Sequence, residues 1–378
     1  MVLNLYLERV ARIQKDQNKT SVIFGVEPTG HYWTSLAYFL TARGHEFVLV
    51  NPMHVKKSKK LDDNSPTKND TKDARVIAQL IKDGRYSVPN LLDGIYADLR
   101  EAIKLRDQLT KQLTIIDGRV QNNLQRYFPE FQDVFKDWTG KAALCTLRTF
   151  PFPSDIREMT PEEVLTQWKM AIKGGVGIKR ATILVEKANK SIGIDVGMRF
   201  AKKELHNLLD QYDLYQEQLK TLDKEIEELL KDVPGAKEMI AIKGIGPTTV
   251  ATTFYAEIGD IRNYTHPQQL VNMAGLSLQE QSSGKYKGQT KITKRGRKRL
   301  RRAIYLAVRP LVASNPTFKA LHAYYTKRSD RPLKKQQSLA LCGKLLRVLF
   351  AIGKKQCEFD GDKLLKGIPQ HELLQDAA

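Results

Sequence analysis

From Leu205 to Val233 the residues Leu205, Leu208, Tyr212, Tyr215, Leu219, Leu222, Ile226, Leu229 and Val233 recur at alternating steps of three and four. Only a helix brings such a series to one side, and four heptads of it span about 40 Å. An apolar stripe of that length must be covered along its whole course. A shorter seam at Leu109, Leu113, Ile116 and Val120 has the same steps. Two arrangements satisfy the pattern. Coiled-coil arms at 95–134 and 204–233 either pair protomers or fold back as a hairpin, or else the longer segment is a single core helix.

Ahead of the arms the pattern alternates between helix and strand. Residues 1–17 predict an amphipathic helix with Leu3, Leu7, Val10 and Ile13 on one side. Ser21–Glu27 and Glu46–Val50 are short β-branched runs, closed by Pro28-Thr29-Gly30 and by Asn51-Pro52, with a helical pattern at 31–43 between them. Such a strand–helix–strand series is a parallel βαβ unit. Lys56–Lys60 reads as a basic loop, followed by a helix from about Asp70 to Lys82. Between the arms, 135–203 reads as a helical insert, and Thr160-Pro161-Glu162-Glu163 is a capping box with proline at the first helical position. Glycine turns and basic runs take over near Pro234. The expected fold class is therefore α/β plus α: an α/β domain at 1–94, the arms, the insert, and a mostly helical domain at 234–378.

Charge narrows the function. Lys and Arg number 62 against 42 Asp and Glu, a formal charge of +20, which concentrates polyanions at the surface. The three cysteines form no Cys-x-x-Cys pair and the seven histidines show no ligand spacing, so structural zinc is not expected. No apolar run reaches the ~20 residues that span a bilayer. Glu8, Arg9 and Arg12 set the first helix apart from a signal peptide. The expected setting is the cytoplasm, in association with the nucleoid.

Three motifs carry chemistry. Glu27 ends a buried parallel strand, where open α/β sheets place their ligands, and Asp70 and Asp73 share a face at the start of a helix. Three such carboxylates suit Mg²⁺ and phosphoryl transfer, although both aspartates also suit helix N-terminal positions. Gly244-Ile245-Gly246 with Pro247 lies between helical patterns like a helix-hairpin-helix, whose glycines and amides approach phosphate, or it is a structural turn. Gly284–Arg302 holds Lys285, Lys287, Lys291, Lys294, Arg295, Arg297, Lys298, Arg299, Arg301 and Arg302 and no acid, a density that suits solvent or a polyanion. Ser282 and Ser283 precede it; a serine beside such a run attacks a phosphodiester only if it is activated, and is otherwise an ordinary loop residue.

Glu27-Pro28-Thr29-Gly30-His31-Tyr32, Asn51-Pro52 and Thr67–Arg75 resemble the N-terminal domain of DEDD transposases of the insertion-sequence one-ten family. Gly244–Pro247, Ala256–Asp260, Ala274-Gly275-Leu276, Gln281–Gly284, Lys294-Arg295-Gly296 and Leu300–Ala303 resemble the C-terminal domain of the same family. The resemblance implies a RuvC-like, RNase-H-type fold that binds Mg²⁺ through Glu27, Asp70 and Asp73. It also implies a nucleophilic serine at Ser283 and recombination of DNA guided by a non-coding RNA. The family has a further Asp on an opening strand. Nothing ahead of Glu27 matches it, so the expectation is a chain short of that strand, binding nucleic acid with little strand transfer of its own. A junction-resolving nuclease and a non-catalytic binding remnant are the competing readings. A homodimer or homotetramer built through the 205–233 seam is the expected assembly.

Overall fold

The computed structural model describes residues 2–62, 70–172, 175, 177–279, 282–283, 286–287, 291–327 and 334–366. It divides into two compact units, Met1–Asp93 and Gly94–Ala378.

The first unit runs α1 (Val2–Asp16), β1 (Ile23–Val26), α2 (Tyr32–Thr41), β2 (Glu46–Val50), α3 (Pro52–Asp62), α4 (Asp70–Lys82) and β3 (Tyr86–Ser87). β1 and β2 pair in parallel with Phe24 opposite Phe47, as the βαβ pattern requires, and β3 adds antiparallel to β2 with Tyr86 opposite Val50. Phe24, Ala37, Leu40 and Phe47 make the core beneath α2, and α1 contributes Leu7 and Val10 to it. Leu3 and Ile13, expected on that same face, are exposed instead.

The basic stretch Lys56–Lys60 is a helix, not a loop. Its start explains why. Pro52 takes the first helical position, the side chain of Asn51 accepts the Met53 N–H at 2.9 Å, and Val55 is fully buried. Lysine is a good helix former once an end is fixed, so charge alone was a poor guide.

The second unit begins with α5 (Gly94–Tyr127). The insert follows as α6 (Phe131–Val134), α7 (Lys141–Thr149), α8 (Pro153–Ile156), α9 (Pro161–Ala171) and α10 (Ile178–Asn189), and α11 (Met198–Lys231) returns. α5 and α11 are each 34 residues, about 50 Å long, and they pack against each other. The pair is antiparallel: Arg106 near the start of α5 binds Asp223 near the end of α11 at 2.7 Å, and Asn123 near the end of α5 donates to the Ala201 carbonyl at 3.2 Å. The seam thus folds back within one chain. Leu205, Leu208, Leu222, Ile226 and Val233 are buried, while Tyr212, Tyr215, Leu219 and Leu229 are half-buried.

The pair joins two cores. At the insert end Leu124, Leu205 and Leu208 share a core with Phe131, Phe152 and Trp168. Trp168 buries completely because its indole N–H finds the Thr146 hydroxyl at 2.9 Å. The capping box forms as read: Thr160 Oγ1 accepts the Glu163 N–H at 3.3 Å, and Glu163 accepts the Thr160 N–H at 2.7 Å.

At the other end Leu99, Ile103, Leu222 and Ile226 join the C-terminal helices: α12 (Ala236–Ile240), α13 (Thr252–Ile258), α14 (Pro267–Met273), α15 (Lys298–Ser314), α16 (Pro316–Lys327), α17 (Lys334–Lys355) and α18 (Gly361–Leu365). Hydrophobic packing therefore runs straight across Pro234. The Tyr255 hydroxyl donates to the Pro234 carbonyl at 2.9 Å, and burial pushes its phenol well above the usual range. Among the described residues no helix is long and apolar enough to cross a membrane.

Candidate functional site

The acidic candidates of the first unit are set by its sheet. Glu27 directly follows β1 and is half-buried at its carboxyl end. α4 packs across the same end. Val76 and Leu80 share a cluster with Val50, the last residue of β2, and the tip of the Ile81 side chain lies over Gly25 of β1. Asp73 lies one turn before Val76 and forms an ion pair with Lys59 of α3. Asp70 opens α4, and its side chain lies outside the described residues. Glu27 thus follows one strand of the parallel pair, and Asp73 stands on the helix that packs on both. Among the described residues no three His, Cys, Asp or Glu side chains form a metal-holding group.

In the second unit Ser283 lies in a small antiparallel ribbon. β4 (Leu278–Gln279) pairs with β7 (Lys291–Ile292), and β5 (Ser282–Ser283) pairs with β6 (Tyr286–Lys287), Ser283 opposite Tyr286. Lys285 lies outside the described residues, as do the side chains of Ser283 and Lys287. The base of the ribbon is pinned by backbone bonds from Thr293 to Ser277, Lys294 to Gly275 and Arg297 to Met273, at 2.8, 3.0 and 2.6 Å. Two glycines allow that approach. Gly275 is left-handed at φ +66°, with Arg295 O 2.8 Å from where its Cβ would sit, and Gly296 at φ +150° has Gly275 N 2.8 Å from its own. Gly296→Ala is expected to lower stability by about 2 kcal/mol through strain at both segments. Urea denaturation checks this, and a change under about 0.5 kcal/mol would show that the interlock yields easily.

The basic run divides into two sets. Lys291, Lys294, Arg295, Lys298 and Arg302 are exposed. The other arginines turn inward. Arg297 donates to the carbonyl of Glu257, and its guanidinium lies 3.6 Å from the carboxylate of that residue. Arg299 binds Asp107 of α5 at 2.7 Å and Glu257 at 3.5 Å. Arg301 donates to the Ala274 carbonyl at 2.8 Å. Glu257 is 8% exposed, in a helix whose seven residues are all buried. Arg100 of α5 adds a bond to the Ala256 carbonyl at 2.9 Å. Glu257, Arg299 and Asp107 thus link α13, the basic helix and the long arm, and Arg100 adds a bond to the α13 backbone.

Gly244 and Gly246 lie in the turn after α12, ahead of a π-helical turn, Pro247–Ala251, that runs into α13. Gly244 has φ +105°, and Leu311 Cα of α15 lies 2.9 Å from where a Cβ would be. This glycine brings the turn against a helix. Asp260 closes the α13 segment, and the hydrogen bonds of Arg262 hold its carboxyl below the usual range.

The sequence matches known families. A DEDD transposase model of the IS110 type matches residues 7–129, and the model described as transposase IS116/IS110/IS902 family matches residues 236–323. Together they match more than half of the chain. The chain belongs to this family of transposases. An uncharacterized 44.8 kDa protein of insertion element IS116 from Streptomyces clavuligerus is 25% identical over 93% of this chain and 87% of its own length. An uncharacterized 42 kDa protein of IS900 from Mycobacterium paratuberculosis is 25% identical over 75% of this transposase and 71% of its own length. The ribbon, its glycine interlock and Glu257 all fall inside the C-terminal match.

Residue counting missed Glu257, Asp107 and Lys59. A usable signal existed for Glu257: a single acid within Thr252–Ile258, an otherwise uncharged helix, in a chain with an arginine-rich run nearby in sequence.

Because Arg297 and Arg299 serve the fold, binding is tested on the exposed set. Replacing Lys294, Arg295, Lys298 and Arg302 by alanine is expected to flatten the log–log salt dependence of DNA binding by about 0.9 for each phosphate no longer neutralised. An unchanged slope would place the binding surface elsewhere.

Proposed function

We propose that this transposase cleaves and joins DNA by phosphoryl transfer, with Ser283 as nucleophile and Glu27, Asp70 and Asp73 as ligands of Mg²⁺. The observation that supports the acidic half of this reading is that Glu27 follows β1 at its carboxyl end and that α4, whose first turn carries Asp70 and Asp73, packs on β1 and β2. Asp73 is paired with Lys59, an ammonium that Mg²⁺ would displace, and hard oxygen donors suit that ion. Bound Mg²⁺ supplies charge neutralisation of the phosphate oxygens. Glu27, Asp70 and Asp73 would hold that ion. Ser283 Oγ gives up its proton and attacks the phosphodiester, forming a phosphoserine ester as the P–O bond breaks and a strand hydroxyl leaves. The hydroxyl of a second strand then attacks the ester and releases the serine hydroxyl. The exposed cations from Lys291 to Arg302 bind phosphates and position the DNA without reading its sequence.

The remaining parts of the proposal follow from family membership. They are a RuvC-like plan for the first unit, a helix-hairpin-helix around Gly244 and Gly246, RNA guidance, and assembly as a homodimer or homotetramer. Because α5 covers much of the α11 seam, assembly falls to other surfaces.

Trapping decides the mechanism. Incubation with a nicked DNA substrate and magnesium, followed by denaturing electrophoresis and peptide mapping, is expected to yield a DNA-linked peptide containing Ser283. Cleavage without any adduct would favour a metal-activated water and the nuclease reading.

A further inference from the structure

Helix α15 changes character along one exposed face. Lys298, Arg302, Leu306 and Pro310 are spaced four apart, so they form one stripe of about 18 Å. The first two are cationic and the last two apolar, and Leu306 is 53% exposed. The stripe borders a cleft of about 880 Å³, floored by α15 and walled by α5 and by the Gly244–Gly246 turn. The approach of Gly244 to Leu311 closes the glycine wall onto α15. The acid on the wall, Asp107, is already paired with Arg299 at 2.7 Å.

A cleft with a cationic mouth, a neutralised acid and an apolar floor suits an anion attached to a flat apolar body. Its volume is within the ~300–1,000 Å³ usual for ligand pockets. Among such ligands, a nucleotide is the one that the strongly basic helix already meets on the DNA of a transposase. We infer that the cleft takes an unpaired nucleotide of the DNA substrate. Lys298 and Arg302 hold its phosphate, and Leu306, Ala303 and the glycine turn receive its base. Bases stacked in a duplex cannot reach the floor, so an unpaired nucleotide, which has no pairing to break and the smallest unstacking cost, is preferred. The inference rests on the DNA-binding reading above and adds to it a site for one strand feature.

The test is a fluorescence titration with 2-aminopurine in three oligonucleotides: a paired DNA duplex, the same duplex with one bulged 2-aminopurine, and the bulged sequence as RNA. The full chain is expected to bind bulged DNA about tenfold more tightly than paired DNA, with a change in probe emission. Leu306→Asp, at an exposed position, and Ala303→Trp, which fills the cleft, are each expected to abolish that preference while duplex binding stays within about twofold. Duplex binding without preference in the unaltered protein, a preference surviving both variants, or a stronger preference for the bulged RNA would each overturn the inference alone. Failure to bind any of the three would overturn the DNA-binding reading as well.

Discussion

Ser283→Ala is expected to abolish strand transfer, from whatever level the unaltered chain reaches, since loss of a nucleophile removes the covalent route altogether. Binding affinity and its salt dependence are expected to stay as they were. Two observations support that separation. Ser283 is held in its ribbon by backbone pairing with Tyr286, which alanine preserves, and the base of the ribbon is fixed by bonds between 273–277 and 293–297. The exposed cations lie on and beyond β7, outside the altered strand. Single-turnover strand transfer with end-labelled DNA, beside a binding isotherm at several salt concentrations, measures both quantities. Undiminished transfer in the alanine variant would remove the serine mechanism and leave water as the attacking group.

The second large effect concerns stability. Replacing both Arg297 and Arg299 by alanine is expected to destabilise the protein by about 3 kcal/mol. These arginines are two cations that face the Glu257 carboxylate, whose side chain is 11% exposed against 28% and 35% for theirs. Without them a buried charge is left unmatched, and Asp107 loses its partner as well. Urea denaturation should show the midpoint fall, and adding Glu257→Gln to the double variant should recover much of the loss by removing the charge. A loss below about 1 kcal/mol, or no recovery with glutamine, would mean that water reaches the carboxylate and the network carries little of the fold.

That network shows where the sequence was informative and where it was not. Glu46–Val50 was readable because a β-branched run between Gly44 and Asn51-Pro52 has one good solution. The α11 stripe was readable as a helix, but a stripe specifies the need for cover and not the source of it. Its partner α5 begins more than 100 residues earlier. In the basic run, the even spread of charge concealed a division that depends on helix phase and on a buried carboxylate some 40 residues away. Gly244 and Gly296 were legible as glycines, but only tertiary structure shows that one meets the C-terminal part of α15 and the other the carboxyl end of α14 and the turn after it. Of the site itself, the strand-end position of Glu27 could be read from local pattern, whereas the Lys59–Asp73 pair requires α3, a helix hidden behind its lysines.

The antiparallel pair α5–α11 also has a mechanical consequence. Each of its ends is anchored in a separate hydrophobic core, and the shaft between them is about 50 Å of continuous hydrogen-bonded backbone. A stiff shaft gripped at both ends is a lever. A tilt of about 5° at the end that carries Arg100, Arg106 and Asp107 would carry the insert through roughly 4 Å, given the length of the helices. Conversely, a load on the insert would arrive at the arginine contacts of the basic helix as torque.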